Sequence, residues 1–291
     1  MSMTGLPITG LSITGLFPPE LLMTRPGVIA STVSTAPDFI GMVWSLGLIA
    51  IAIALSLWQR LGLAKTLALA ALRTLAQLLG VGFVLSVIFA SDQPIAIVAL
   101  LIGMAGIATV VARNRIDREL PELLKWVWMA IVLGATVTMT YVCLFVIRLD
   151  PWYSPQQLVP LTGMVLGHAM TAASISGERL VSTLRNSRIE IETHLSLGAT
   201  PAQAVRGYRQ AAVKAGLIPT INAMMIVGLV TLPGTITGQL LGGSEPLVAA
   251  IYQILIMFML ALSTLIAALV VTYGLAKQFF NSAMQLVIPQ G

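Results

Sequence analysis

Long apolar stretches separated by short polar connections dominate the chain. Seven of these stretches are close to the roughly 20 residues that an α-helix needs to cross the hydrocarbon layer of a bilayer. Backbone groups inside a bilayer have to be hydrogen-bonded within their own segment, so each stretch is predicted to form a helix. We place the seven spans at residues 39–58, 66–90, 95–112, 126–147, 158–177, 217–241 and 247–276.

The start of the second span has two interpretations, because Arg73 and Gln77 lie inside it. A long cationic side chain about two turns from the end of a span can still reach the membrane interface. The alternative is an interfacial amphipathic helix that leads into a shorter span beginning near Leu75. Both interpretations give the same topology, and both leave a pairing or gating role open for Arg73.

One long polar segment, residues 178–214, interrupts the apolar pattern between the fifth and sixth spans. From residue 180 to residue 197 its apolar side chains recur at helical spacing, while its charged side chains fall elsewhere. This pattern predicts a long helix that ends at Gly198, since glycine readily takes the backbone conformation that closes a helix.

Three residues then indicate the start of a second, short helix. Thr200 suits the N-cap, Pro201 suits the first helical position, and Gln203 lies where the partner of a capping box belongs. We expect this helix to stop near Gly216. It carries the polar side chains Arg206, Tyr208 and Arg209. A long helix followed by a sharply capped cross-helix is suited to docking a soluble partner, so the segment is interpreted as the coupling element of a transporter.

The composition agrees with an integral membrane protein. Hydrophobic residues make up 57% of the chain and charged residues only 9%, which excludes an ordinary soluble domain. The net charge of +5 does not indicate nucleic-acid binding, because most of the basic residues lie in the connections between spans. The single cysteine, Cys143, excludes a disulfide within the chain and a cysteine-based metal site.

Lysine and arginine are concentrated on one side of the predicted topology, and this side is expected to be cytoplasmic. It holds Arg60, Lys65, Arg73, Arg113, Arg115, Arg118, Lys125, Arg179, Arg185, Arg188, Arg206, Arg209, Lys214 and Lys277. Only Arg25 and Arg148 fall on the opposite side. The chain is therefore predicted to be a multi-pass protein of the inner (plasma) membrane, with its N-terminus outside and its C-terminus in the cytoplasm.

The predicted domain organisation is simple. Residues 1–35 carry a threonine-glycine-leucine repeat, lack the basic start of a signal peptide, and hold no apolar run long enough to span a bilayer. We expect a poorly ordered extracytoplasmic tail there. Residues 36–291 are expected to form a single transmembrane permease domain that includes the 178–214 segment.

Polar side chains inside the spans mark a candidate substrate path. The fifth span combines overlapping small-residue patterns, which predict close helix packing, with several polar and sulfur-containing side chains. His168 is either a packed, hydrogen-bonded residue or a substrate contact. In the sixth span Pro233 predicts a kink or a break, which lines a watery cavity or is repaired by neighbouring hydroxyls. The path candidates are Arg73, Gln77, Met164, His168, Met170, Pro233, Gln239, Glu245, Tyr252 and Gln253.

Familiar catalytic and metal-binding motifs are absent from the sequence. There is no phosphate-binding G-x-x-x-x-G-K-[ST] loop, no H-E-x-x-H and no C-x-x-C. The fourteen methionines could offer soft ligands, but they are also routine filling residues of membrane helices. We therefore expect no catalytic residues, no ATP hydrolysis and no cofactor in this chain, and the metal ligands stay unassigned.

Four motifs carry a resemblance to a known family. Residues 192–201, ETHLSLGATP, resemble the coupling loop of ABC permeases, in which a glutamate stands six residues before a glycine. Together with RTLAQLL at 73–79, GMVLGHAM at 163–170 and LPGTITGQLLG at 232–242, they make residues 40–280 resemble the iron-export ABC permease family. That family includes bacterial iron-efflux permeases and plant permeases tied to aluminium tolerance. It usually has asparagine where this chain has His168.

The resemblance implies a permease subunit that pairs with itself and with two copies of a separate P-loop ATPase, which holds ATP and Mg. It implies metal export for one branch of the family and sugar-nucleotide export for another. The expected contacts with the ATPase are Glu192, Gly198, Ala199, Thr200, Pro201, Arg206 and Arg209.

A secondary transporter or channel that works alone is the alternative from another class. Proton or sodium coupling normally uses carboxylates within the membrane, and the predicted spans contain no Asp or Glu. A seven-span receptor is a further alternative, which the capped inner helix disfavours.

Overall fold

The computed structural model describes residues 39–91, 93–120, 122–147, 154–281 and 285–287. The continuous elements in these residues are all helical. They are α1 Phe39–Trp58, α2 Ala64–Ser91, α3 Pro94–Ile116, α4 Leu123–Tyr141, α5 Pro155–Asn186, α6 Arg188–Ser196, α7 Pro201–Ala204, α8 Arg206–Ile226, α9 Gly234–Leu241 and α10 Pro246–Gln278. A π-helical turn, Val142–Ile147, continues α4. The predicted tail at residues 1–35, which contains Arg25, lies outside the described residues. Arg148 lies outside them as well.

Five of the described helices, α2 to α5 and α10, are long and apolar enough to cross a membrane. The apolar part of α1, Val43–Trp58, is shorter. The prediction of an all-α polytopic membrane protein is therefore confirmed. The count of seven spans stays a prediction. The apolar part of α1 is short, and the sixth predicted span is divided between α8 and α9.

The long helices α5 and α10 pack along each other at the centre of the bundle, and α3, α4 and α8 surround them. Two glycines bring α4 and α10 together. A Cβ at Gly134 would lie 3.0 Å from the carbonyl oxygen of Ser263, and a Cβ at Gly274 would lie 2.2 Å from the ring of Trp126. Larger residues at these two positions would therefore force the helices apart.

The small residues of α5 do not all bring its backbone close to that of a neighbouring helix. Gly163 and Gly177 face the side chains of Met104 and Ile116 on α3. The close approach of one backbone to another occurs on a different face of α5, opposite Gly216 of α8. The spacing of small residues thus predicted a tightly packed helix, but not which positions touch a neighbouring backbone.

Gly216 does not end the short helix near the polar segment, so that prediction is wrong. Helix α8 continues through this residue as far as Ile226. A Cβ at Gly216 would lie 2.8 Å from the carbonyl oxygen of Ala172 and 2.0 Å from Oγ of Ser176, both on α5. Helix α8 crosses α5 so closely that a side chain at this position has no space. Gly216 is therefore needed for the helix crossing and does not end the helix.

The long helix predicted for residues 180–197 is also wrong in detail. Helix α5 continues from the membrane-spanning part as far as Asn186, and α6 begins at Arg188. Ser187 between them has φ −101° and ψ 26°, outside the helical values. Asparagine and serine side chains compete for backbone hydrogen bonds, which makes such a pair a plausible place for a helix to be interrupted.

Helices α1 and α2 pack mainly against each other, and α2 touches α5. In the apolar stretch of α2, none of the residues is buried within the single chain. Leu69, Leu72, Leu78 and Phe83 are among its exposed side chains. A helix whose exposed side chains are mostly apolar in the isolated chain is suited to a hydrocarbon environment.

Candidate functional site

The polar segment between α5 and α8 begins its turn at Gly198. This residue has φ +88°, a left-handed conformation that costs an L-residue energy and that glycine adopts freely. The N–H of Gly198 donates to the carbonyl of Leu195 at 3.0 Å, and the N–H of Ala199 donates to the carbonyl of His194 at 3.1 Å. These bonds complete the end of α6 as a Schellman motif. The prediction that Gly198 ends a helix is confirmed.

A capping box then starts α7. The N–H of Gln203 donates to Oγ1 of Thr200 at 3.4 Å, and the N–H of Thr200 donates to Oε1 of Gln203 at 2.9 Å. Pro201 occupies the first helical position, where its missing N–H has no cost. The predicted start of this helix is therefore confirmed, although α7 is only four residues long.

Helix α7 rests on the core by one side and is open to solvent on the other. Ala204 and Val205 are buried and belong to the same apolar core as Ile191 of α6. Ala202 of α7 and Arg206 at the start of α8 are exposed. This arrangement fixes the position of the short helix and leaves its outer surface free for a contact.

Two predicted coupling residues have partners within the chain. Nε of Arg188 lies 2.7 Å from Oε1 of Glu192, in an ion pair whose side chains are both about half exposed. The guanidinium of Arg209 lies 5.8 Å from the ring centroid of Tyr273 on α10, within the range of a cation–π contact. Both contacts orient side chains of the segment before any partner binds.

Tyr208 of α8 lies near the break between α5 and α6. Burial raises the pKa of its phenol, and the nearby Glu190 carboxylate adds to the rise. The ring also packs against the apolar core. The phenol is therefore protonated at neutral pH and acts as an uncharged contact inside the segment.

The path candidates of α5 lie on the outside of the single-chain bundle. His168 is exposed, and a Cβ at neighbouring Gly167 would meet no atom within 4 Å. Met164 and Met170 are half-buried against the core. The side chain of His168 is thus exposed on the surface of the single chain. Both interpretations of this residue, packing and substrate contact, stay predictions.

The interruption predicted at Pro233 is confirmed, and it brings two helices together. Helix α8 ends at Ile226, Gly228 has φ +81°, and α9 begins at Gly234. Oγ1 of Thr235 donates a hydrogen bond to Oε1 of Gln253, whose side chain is buried on α10. A cavity of about 390 Å³ lies beside this bond; its lining includes Met224, Val227, Gly228, Ile236, Gln253 and Met257.

The remaining path candidates do not converge on this cavity. Arg73 and Gln77 are exposed on α2, and Glu245 is exposed in front of α10. Gln239 and Tyr252 are half-buried and do not line it. Among the residues that the structure describes, no group of three His, Cys, Asp or Glu side chains could hold a metal ion. The described residues of the single chain thus do not bring the path candidates together at one cavity.

A family profile, described as an uncharacterised protein family (UPF0014), matches residues 39–280, which include every helix of the bundle. This chain belongs to UPF0014. The match covers both the polar segment around α7 and the interrupted helix beside Gln253. No solved structure matches the chain.

Curated UPF0014 relatives cover nearly the whole bundle. The membrane protein slr1647 of Synechocystis is 47% identical over 86% of this chain and 97% of its own length. A protein of Escherichia coli named "Probable iron export permease protein FetB" is 31% identical over 84% of this chain and 93% of its own. Protein ALUMINUM SENSITIVE 3 of Arabidopsis thaliana is 31% identical over 83% of this chain and 87% of its own. The resemblance noted in the sequence is confirmed: the chain is a member of a family of membrane permeases.

One feature of the polar region was missed in the sequence. After α10, Phe280 and Leu286 form an isolated antiparallel bridge that lies against the same hollows as α7. The apolar pair Phe279 and Phe280, two residues after the cationic Lys277, was the available signal, because large apolar residues beyond the end of a span need a surface to cover them.

Proposed function

We propose that this chain is the membrane-spanning permease subunit of an ABC transporter that exports iron. A separate P-loop ATPase holds ATP and Mg and docks on α7 and its flanking residues. Two copies of the chain pair with two ATPases, since each chain offers one such helix. The transporter lies in the inner (plasma) membrane, with residues 178–214 and the C-terminus in the cytoplasm.

The observation that carries the proposal is the way α7 is held. A helix of four residues would not be stable alone, yet here it has a glycine turn before it, a complete capping box and a buried inner side. Its outer side, with Ala202, is left exposed, and so is Arg206 at the start of α8. A rigid exposed projection outside the apolar part of the bundle is the shape that a docking element needs.

Iron as the cargo is supported by the name of the Escherichia coli relative, a probable iron export permease protein. The substrate path would run beside the cavity at Gln253 and past the exposed face of α5 with His168, which pairing with a second copy would cover. Movement of α7 by the ATPase reaches the membrane directly, because α8 runs without interruption from Arg206 into the bundle.

The test uses Ala202→Asp. This residue is exposed on α7, so the substitution changes the outer surface without disturbing the core. We expect the variant to reach the membrane in normal amounts but to lose most of its stimulation of the copurifying ATPase, and cells carrying it to retain iron. Ser182→Asp, a matched change at an exposed position of α5, should behave like the unmodified chain. Full stimulation by Ala202→Asp would refute docking at α7.

A further inference from the structure

Two hollows lie beside α7 and the turn that precedes it. The first, of about 450 Å³, is lined by residues of α7 and α8 on one side and by the end of α10 and its continuation on the other. The second, of about 760 Å³, is lined by α6, the turn at Gly198 and the residues Gln285 and Leu286. The first hollow thus joins α7, and the second the turn before it, to residues near or after the end of α10.

The residues after α10 are held in place as part of this surface. The N–H of Val287 donates to the carbonyl of Phe279 at 2.8 Å, and the N–H of Gln285 donates to Oδ1 of Asn281 at 2.8 Å. Nδ2 of Asn281 donates to Oε1 of Gln285 at 3.0 Å. Phe279 is fully buried in the core. We name the described residues 279–281 and 285–287 the C-terminal return.

The rim of the first hollow is cationic. Arg209 and Lys277 line it, and no carboxylate does. Residues 246–291 contain no Asp or Glu at all, and neither do residues 193–244. The Glu192 carboxylate at the second hollow already pairs with Arg188. The positive charge of this region is therefore not balanced within the surface itself, and complementary charge has to come from whatever binds there.

Apolar groups complete the surface. Ala202 and Phe280 line the first hollow, and Leu197, 80% exposed, stands next to the second. A large apolar side chain that is exposed beside a concave, charged rim is typical of a protein-binding surface, where a few anchors fill pockets and a polar rim surrounds them.

We infer that the C-terminal return and the end of α10 form the second half of the docking surface for the ATPase, across the first hollow from α7. The ATPase meets this half with an acidic patch, which contacts Lys277 and Arg209, and with an apolar side chain that enters the first hollow. This inference rests on the proposed function, because it identifies how the same partner is held.

The test compares matched charge changes in the permease in lipid nanodiscs, with the copurifying P-loop ATPase as the probe. Lys277→Glu reverses the charge at the first hollow, and Gln285→Glu adds a carboxylate at the second while keeping the acceptor for Asn281. Both positions are exposed, so folding should be preserved. We expect about a tenfold weaker Kd for Lys277→Glu and about threefold for Gln285→Glu, as modest rim charges would give. The controls, Lys214→Glu and Gln210→Glu, are exposed on α8 away from both hollows.

The outcomes separate this inference from the proposed function. If Ala202→Asp abolishes binding but Lys277→Glu and Gln285→Glu bind normally, the C-terminal return is not part of the surface and docking at α7 stands. If all three bind normally, both ideas are wrong. If the loss occurs only in discs with anionic lipid and vanishes in neutral discs, the cationic rim binds lipid headgroups, and the inference is overturned.

Discussion

The crossing of α5 and α8 gives the sharpest prediction, because a single added methyl group has no space there. In Gly216→Ala the new Cβ would stand 2.0 Å from Oγ of Ser176 and 2.8 Å from the carbonyl oxygen of Ala172. The serine hydroxyl can rotate away, but the carbonyl belongs to the α5 backbone and cannot. The two helices must therefore separate, and overpacking of this kind typically costs about 1–3 kcal/mol.

Gly207→Ala is the matched control on the same helix, since a Cβ there would meet no atom within 4 Å. Both substitutions gain helix propensity, up to about 1 kcal/mol each, so their difference isolates the clash. We expect Gly216→Ala to be less stable than Gly207→Ala by about 1–3 kcal/mol, or about 2–4 °C in Tm per kcal/mol for a chain of this size. Thermal unfolding of the detergent-purified chain measures this difference.

A second substitution at the crossing tests the geometry more closely. Ser176→Ala removes the hydroxyl that lies nearest to the new methyl group, but leaves the contact with the carbonyl of Ala172. In the Gly216→Ala background it should therefore restore only part of the lost stability. Equal melting temperatures for Gly216→Ala and Gly207→Ala would refute the argument that this glycine is required by the helix crossing.

Two more predictions concern α7 and the interrupted helix. Thr200→Ala removes the side-chain half of the capping box and should cost about 1 kcal/mol locally; we expect reduced ATPase stimulation, which Thr200→Ser should restore because serine keeps the hydroxyl. Stimulation unchanged in Thr200→Ala would mean that the cap does not matter for coupling. Gln253→Leu removes the acceptor for Thr235 beside the cavity; we expect slower iron efflux from loaded cells while ATPase docking is retained. Efflux at the normal rate would remove Gln253 from the path, and Gln210→Leu on the exposed face of α8 serves as the control.

The sequence predicted local turns better than contacts between distant helices. The Gly198 turn and the capping box at Thr200 were readable because each depends on a few neighbouring residues. Gly216 was misinterpreted because the same residue type can end a helix or permit a close crossing, and only the position of α5 decides between them. Local chemistry is written in short stretches, whereas packing depends on residues far apart in the chain.

The candidate site shows the same division. The interruption at Pro233 follows from its ring and missing N–H, but its partner Gln253 lies on another helix and carries no local signal of the contact. The hollows beside α7 were also beyond prediction, since they join residues about 80 positions apart, from Pro201 to Phe280. The exposure of His168 likewise depends on how the whole bundle is assembled.

The gap between α8 and α9 divides what would otherwise be one rod into two pieces with different attachments. In the gap, the carbonyl of Ile226 accepts hydrogen bonds from the amides of residues 229, 230 and 231. The chain forms a local turn there, and the helical hydrogen bonds of α8 do not continue into α9. Helix α8 packs closely against α5 at Gly216, while α9 is bonded to α10 through Thr235. A force on α8 can thus change the angle between α8 and α9 while α9 keeps its own contact with α10.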